Sequence, residues 1–316
     1  MNPRQSFNTA FALTIAFGLG GCSSVNHVAV NTLGDALASG GTAFASDNDP
    51  QLIRDATPFT LKLMESLLAD NPRHPGLLFA ASSGFTQYSY AFVQQDADEL
   101  EGRDVAGANQ LRARARGLYL RGRDYGLRGL ELAHPGLTTK LRGNPHEAVK
   151  ICRTEDVRLL YWTAASWAAA IALSKDDPVL IAELPIAETL IDRALELDEA
   201  YDYGAIHGFL ITYEMARAGG TGDPVARSRQ HFDRAMALTQ GGQASPLVAY
   251  AEAVSVQKQD RTEFEKLLNQ ALAIDVNAHP EWRLLNLVMQ RRARWLLARI
   301  DDLFLPVDTP NPSAAP

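Results

Sequence analysis

The stretch Asp192–Phe209, DRALELDEAYDYGAIHGF, decides how the rest of the chain is read. Ala194-Leu195-Glu196-Leu197 closes a helix, a short acidic turn follows, and a second helix opens with Gly204-Ala205. The phrase returns as DRAMALTQG (Asp233–Gly241) and NQALAIDVN (Asn269–Asn277), with a weaker copy, RGLELAHPG, at Arg128–Gly136. Ala194 and Ala235 are 41 residues apart, Ala235 and Ala271 36, and Gly129 and Ala194 65, about two units of a ~34-residue helix–turn–helix repeat.

A helix pair of this kind cannot bury its apolar face alone, so neighbouring pairs stack and share one core. Alanine or glycine at a crossing lets two helix axes approach, and the leucines that follow fill the space between them. The spacing predicts an all-α, tetratricopeptide-like (TPR-like) superhelix of helix pairs, α-solenoid-like, with about ten to twelve helices.

Of 316 residues, 46% are hydrophobic and 21% charged, an ordinary globular balance. A chain of this length buries enough surface to need no disulfide staples. Its two cysteines, Cys22 and Cys152, could not supply a framework in any case. The net charge of −7 argues against nucleic acid as a partner, because neutralising phosphates dominates that affinity.

Residues 1–21 read as a targeting segment, with Arg4 at the start and an apolar run at Phe11–Leu19, too short to span a membrane. Leu19-Gly20-Gly21-Cys22 resembles the lipobox of bacterial lipoproteins, which implies cleavage before Cys22 and acylation of that cysteine. An ordinary secretory signal with an incidental cysteine is the alternative. Several acyl chains would hold the protein on a membrane almost permanently. Ser23 stands where an aspartate would favour inner-membrane retention, so the resemblance implies the outer membrane, facing the periplasm. Residues 22–48 are expected to be a lipidated tether, 49–304 the helical domain and 305–316 a disordered tail.

Asp49-Pro50 predicts a capped helix start, with Pro58 bending or breaking the helix behind it. Helices are expected over Gly76–Leu100, Ala106–Leu132, Glu155–Ser174, Pro185–Leu197, Tyr201–Arg217, Pro224–Thr239, Pro246–Gln257, Arg261–Ile274 and Pro280–Phe304, with a loop to Asn144 after His134-Pro135-Gly136. Phe85, Tyr88 and Phe92 form an aromatic stripe, with Gln87 and Tyr90 on adjoining faces. Such a stripe is core more often than a ligand box, although tyrosines also suit a concave binding face. Gly117, Gly122, Gly126 and Gly129 weaken the Ala106–Leu132 helix, a cost that close packing would offset. Its arginines, among them Arg112, Arg116 and Arg123, are either a solvated face or a partner-docking strip.

No catalytic, cofactor or metal constellation is visible. There is no His-Glu-x-x-His, no Gly-x-Ser-x-Gly and no paired cysteines. Gly219–Pro224 is glycine-rich but lacks the preceding strand and following lysine of a phosphate loop. His207 and Glu214 lie two turns apart, and Cys152 reads as a buried free thiol.

Five stretches together resemble the TatT component family of TRAP transporters: DNDPQLIRDATPFTLKLMESLL (Asp47–Leu68), GFTQYSYAFV (Gly84–Val93), RALELDEAYDYGAIH (Arg193–His207), HFDRAMAL (His231–Leu238) and LLNQALAIDVNAHPEWRLLNLVMQRRARWLL (Leu267–Leu297). The resemblance implies a TPR-like periplasmic lipoprotein, not an enzyme. It further implies pairing with the periplasmic TRAP substrate-binding protein, assembly as a homo-trimer around an apolar pore or cleft, and handling of a hydrophobic or amphipathic small ligand. Gln87, Tyr88, Tyr90, Trp162, Tyr203, His207 and Asn286 are the ligand-cavity candidates, being aromatic or polar on otherwise apolar helices. The competing reading is a generic TPR-like outer-membrane scaffold for envelope assembly. A lipid-anchored hydrolase with a site built from distant loops is a third.

Overall fold

The computed structural model describes residues 41–306, and among them there is no strand. Cys22, the targeting segment, most of the expected tether and residues 307–316 lie outside the described residues. The fold is all-α, as the repeat spacing predicts, and compatible with a TPR-like stack.

Aspartate or asparagine followed by proline starts several helices. Asp49, Asn144, Asp177 and Asp223 accept from backbone N–H groups one turn on, opening α2 (Pro50–Asp70), α7 (Pro145–Ala148), α9 (Pro178–Ile181) and α12 (Pro224–Leu238). Before them stands α1 (Gly41–Ala45), part of the expected tether, which packs on α15 (Arg283–Ala298) and the Pro280–Trp282 turn. Of the expected bend or break at Pro58, no break occurs: α2 runs as one helix through it.

The expected Gly76–Leu100 helix comprises α3 (Pro75–Tyr88), a π-helical turn at Ser89–Gln94, and α4 (Gln95–Leu100). Next comes α5 (Val105–Ala133), which crosses α3 and α8 (Val157–Ala172) closely. The expected loop after Gly136 instead holds α6 (Leu137–Gly143), because Leu137 and Leu141, one turn apart, are both buried. Beyond α10 (Leu184–Leu197) and α11 (Tyr201–Ala216), α13 (Ser245–Tyr250) passes into a second π-helical turn, Ala251–Ser255. After α14 (Arg261–Ala273) and α15, the last expected helix breaks at Arg299 before α16 (Ile300–Leu303).

The quoted stretch sits where two hydrophobic cores meet. Ile206 and Leu210 of α11 belong to the core built on α2–α10, while Ile211 belongs to that of α12–α16. The repeat positions Ala194, Ala235 and Ala271 are all buried. Gly204 opens the helical part of α11 with φ +86°, and a Cβ there would come within 2.8 Å of the Leu238 side chain. Glycine is therefore required twice over, for the left-handed backbone and for the approach to α12.

The two ends of the array meet. Arg291 donates to Asp96 (2.9 Å) and Glu99 (2.6 Å), and Arg292 to Gln95 (2.7 Å), Asp98 (3.2 Å) and Glu252 (2.5 and 2.7 Å). Arg283 reaches the Ser46 carbonyl at 2.6 Å. Helix α15 thus lies between α13 and α14 on one side and the N-terminal helices on the other, closing the array on itself.

Candidate functional site: an aromatic-lined interior

Five aromatic residues that could serve an apolar ligand come from three separate parts of the chain. Tyr90 comes from the first π-helical turn, Tyr161 and Trp162 from α8, and Tyr201 and Tyr203 from the start of α11. Tyr90 keeps 40% of its surface accessible, yet burial still raises its phenol above the usual range. That combination belongs to the wall of a concavity. Tyr161 packs edge-on to Trp162 (4.9 Å between ring centroids) and beside Tyr201 (5.6 Å). Burial pushes the Tyr161 phenol well up, with Asp202, Tyr201 and Tyr90 adding to the shift, so these groups lie within electrostatic reach of one another.

At one end, Tyr203 meets Trp282 edge-to-face at 5.0 Å beside a cleft of about 450 Å3. Ala45, Ser46, Asp202, Pro280 and Glu281 complete its lining. Asp202, Tyr203 and Gly204 all adopt left-handed backbone (φ 45°, 56° and 86°), which turns the chain before α11 becomes helical. The two π-helical turns supply Tyr90 and Glu252, and both lie in the field of the buried Arg292. Such insertions recur at functional sites because an extra residue re-aims the side chains around it.

The other expected residues fall in different places. Gln87 is exposed, one helical turn before Tyr90 and on its side of α3. Tyr88 is core: it is buried against Phe92 (5.8 Å), and Arg114 lies over its ring (5.9 Å). His207 faces α12, with its Nδ1 2.8 Å from Nδ1 of His231 and its Nε2 3.3 Å from Glu199. Asn286 is buried with its amide engaged, accepting from Ala244 N–H (2.9 Å) and donating to the Gly242 carbonyl (3.0 Å). Tyr88, His207 and Asn286 are thereby corrected from lining residues to internal supports.

The three arginines expected to dock a partner are also engaged internally. Arg112 bonds Glu101 (3.0 Å) and Asp98 (3.5 Å), and Arg116 bonds Asp177 (2.8 Å). Arg123 bonds Glu183 (3.4 Å) and lies over the Trp167 ring at 5.1 Å. Sequence reasoning missed Tyr161, Asp202 and Trp282 as lining residues. Asp202 falls there inside the expected Tyr201–Arg217 helix, and Tyr161 and Trp282 inside the expected Glu155–Ser174 and Pro280–Phe304 helices.

The model of the TRAP transporter T-component family matches residues 46–304, nearly all of the described chain. The chain belongs to that family. A protein of Treponema pallidum (strain Nichols), described as uncharacterized, is 32% identical over 266 residues, which is 83% of this chain and 82% of the relative. Membership gives this T-component an accessory role in a TRAP transport system, and the family is a transporter component rather than an enzyme class. No helix among the described residues is long and apolar enough to cross a membrane.

Two titratable clusters lie outside the interior of this T-component. In the first, burial lowers both histidines, and His207 beside it helps hold His231 down at about 4. The pair is therefore neutral when folded, whereas a free histidine titrates near ~6.5. Stability from this pair is present above about pH 6.5 and is lost as pH falls toward 4, because the unfolded chain takes up protons that the folded one refuses. Loss of about 2 kcal/mol is expected between pH 7 and pH 4.5. Urea midpoints across that range should fall less steeply in His231→Gln than in the parent; parallel curves would refute the assignment.

In the second cluster the fold brings His134 to Cys152, a neighbour that sequence spacing does not reveal. His134 Nε2 lies 2.7 Å from Asp156 Oδ2, which also accepts from the Arg153 N–H at 2.8 Å. Burial, with Asp156 adding to it, pushes the Cys152 thiol up to about 11, so it stays protonated and is no nucleophile. These three donors lie within 4.8 Å of one another, the one such metal-capable set among the described residues. As arranged, they tie the end of α5 to the turn before α8.

Proposed function

We propose that this T-component is a lipoprotein, acylated at Cys22 on the outer membrane, that docks the substrate-binding subunit of a TRAP transporter in the periplasm. It passes an apolar or amphipathic small molecule through its aromatic interior. The observations that support this reading are the aromatic pairs Tyr161–Trp162 and Tyr203–Trp282, the second of them in the wall of a cleft of about 450 Å3. An apolar ligand gains free energy by leaving water for such a surface, at roughly 25 cal/mol per Å2 buried. Small-molecule pockets of about 300–1,000 Å3 are lined in this way, with few polar groups to set orientation. A trimeric assembly, implied by the resemblance, would set several such interiors side by side.

Immobilised mature T-component should retain the TRAP substrate-binding protein saturably. Tyr90→Ala and Trp162→Ala, folded by circular dichroism, should take up ligand severalfold more slowly. Retention of envelope assembly factors alone, with uptake unchanged in both variants, would favour the scaffold reading.

A further inference from the structure

We propose that His134, Cys152 and Asp156 form a zinc site at the junction of α5 and α8, with a water molecule as the fourth ligand. The inference stands apart from the proposed function and does not depend on the aromatic residues.

The first argument is the donor set. An imidazole, a thiol and a carboxylate, from the end of α5 and two short turns before α8, bring their ligand atoms within 4.8 Å of one another. A tetrahedral zinc ion with bonds of about 2.0–2.3 Å holds its ligand atoms about 3.3–3.8 Å apart. His134 Nε2 and Asp156 Oδ2 stand at 2.7 Å. They need part by less than about 1 Å to admit the ion. Thiolate and imidazole select zinc over magnesium or calcium, which take oxygen ligands.

The second argument is that two of the donors are otherwise unused. Asp156 Oδ2 makes both hydrogen bonds of its carboxylate, to the Arg153 N–H and the His134 ring, while Oδ1 makes none among the described residues. The Cys152 sulfur has no hydrogen bond there either, although the residue is only 1% exposed. Both atoms keep lone pairs that no group of the fold employs.

The third argument is the support behind the donors. The His134 N–H closes α5 on the Leu130 carbonyl at 2.8 Å, and the Cys152 N–H closes its turn on the Val149 carbonyl at 2.9 Å. Arg193 of α10 donates to the Cys152 carbonyl at 2.9 Å. Ligands carried on backbone pinned in this way lose little freedom when a metal binds. Arg193 also lies within electrostatic reach of the Cys152 sulfur, and its buried Nε–H has no partner. A metal-bound thiolate would place a negative charge near that donor.

Binding balances without a co-reactant. The thiol gives its proton to solvent, and the imidazole binds through Nε2 with its proton on Nδ1. Thiolate and carboxylate together neutralise Zn2+, so the ion is buried without leaving net charge in the fold. The site would then fasten the end of α5 to the turn before α8 and, through Arg193, to α10.

Titration of the full mature chain with cobalt(II), after dialysis against a chelator, tests the inference. One equivalent should give the visible absorption of tetrahedral cobalt together with a near-ultraviolet thiolate-to-cobalt band, and zinc should displace both. Cys152→Ser should abolish the thiolate band, and since Cys22 remains in that variant, the loss assigns the band to Cys152. Asp156→Asn should weaken zinc at least about tenfold and remove the rise in Tm that zinc gives the parent. Should Cys152→Ser fail to fold, Asp156→Asn decides alone. A parent without the tetrahedral spectrum, a thiolate band that survives Cys152→Ser, or equal zinc affinity in Asp156→Asn and parent would each overturn the site and leave the three residues as a hydrogen-bonded tie beside a buried thiol.

Discussion

Replacing Arg292 by methionine should lower the unfolding free energy by about 3–5 kcal/mol, the usual cost of removing one partner from a buried ion pair. The guanidinium is buried and serves Glu252, Asp98 and Gln95 at once, from a helix nearly two hundred residues along the chain from α4. Its loss leaves Glu252 without its cation and Asp98 with only the more distant Arg112. Burial already raises the Asp98 carboxyl despite Arg292, so the uncompensated group would favour its protonated form and strain the junction further. The damage should be local. Amides of α4 and α15 should exchange faster, while those of α8 and α10, in the first core, keep their protection. A urea midpoint within error of the parent would show that the array closes without this residue.

The second large effect divides one helix by sign. Gly126 of α5 lies against α8 and α3, where a built Cβ would stand 2.1 Å from Thr163 Oγ1 and 2.9 Å from Ser82 Oγ. Gly126→Leu should therefore cost roughly 3 kcal/mol, because overpacking a helix crossing forces the axes apart. Gly117 is on the same helix with nothing within 4 Å of its Cβ direction. There Gly→Ala should stabilise by about 0.5–1 kcal/mol, the ordinary gain in helix propensity and unfolded-state entropy. Denaturant titrations of the two variants should move in opposite directions. The same direction for both would mean that α5 does not cross its neighbours at Gly126.

Helix positions were legible because their starts are written in short chemistry. An aspartate or asparagine before a proline satisfies the first free amides and sets φ, so Pro50, Pro145, Pro178 and Pro224 all open helices. The small residues Ala194, Ala235 and Ala271 marked positions that are buried in the structure. Helix α6 was missed because Thr138, Thr139 and Gly143 lower local propensity, and burial of Leu137 and Leu141 outweighs it.

The interior was less legible, because its lining depends on register that propensity does not encode. A π-helical turn shifts the face that Tyr90 presents, and three left-handed residues lift Asp202 and Tyr203 out of the helix that their sequence suggests. His207 and Asn286 look like ligand contacts in sequence, but His231 and the Gly242–Ala244 turn claim them, and both partners are distant in the chain. The resemblance to the transporter component carried further than residue patterns, since it rests on long stretches rather than on one helix face.

An aromatic surface open to an apolar guest is what the proposed ligand-handling role requires. Native mass spectrometry of the full mature protein, purified from its own membranes under mild conditions, tests this directly. The account predicts a bound small amphiphile whose occupancy falls sharply in Tyr90→Ala. A protein that is empty in both forms, and that acquires no such adduct when amphiphiles are added, would contradict it.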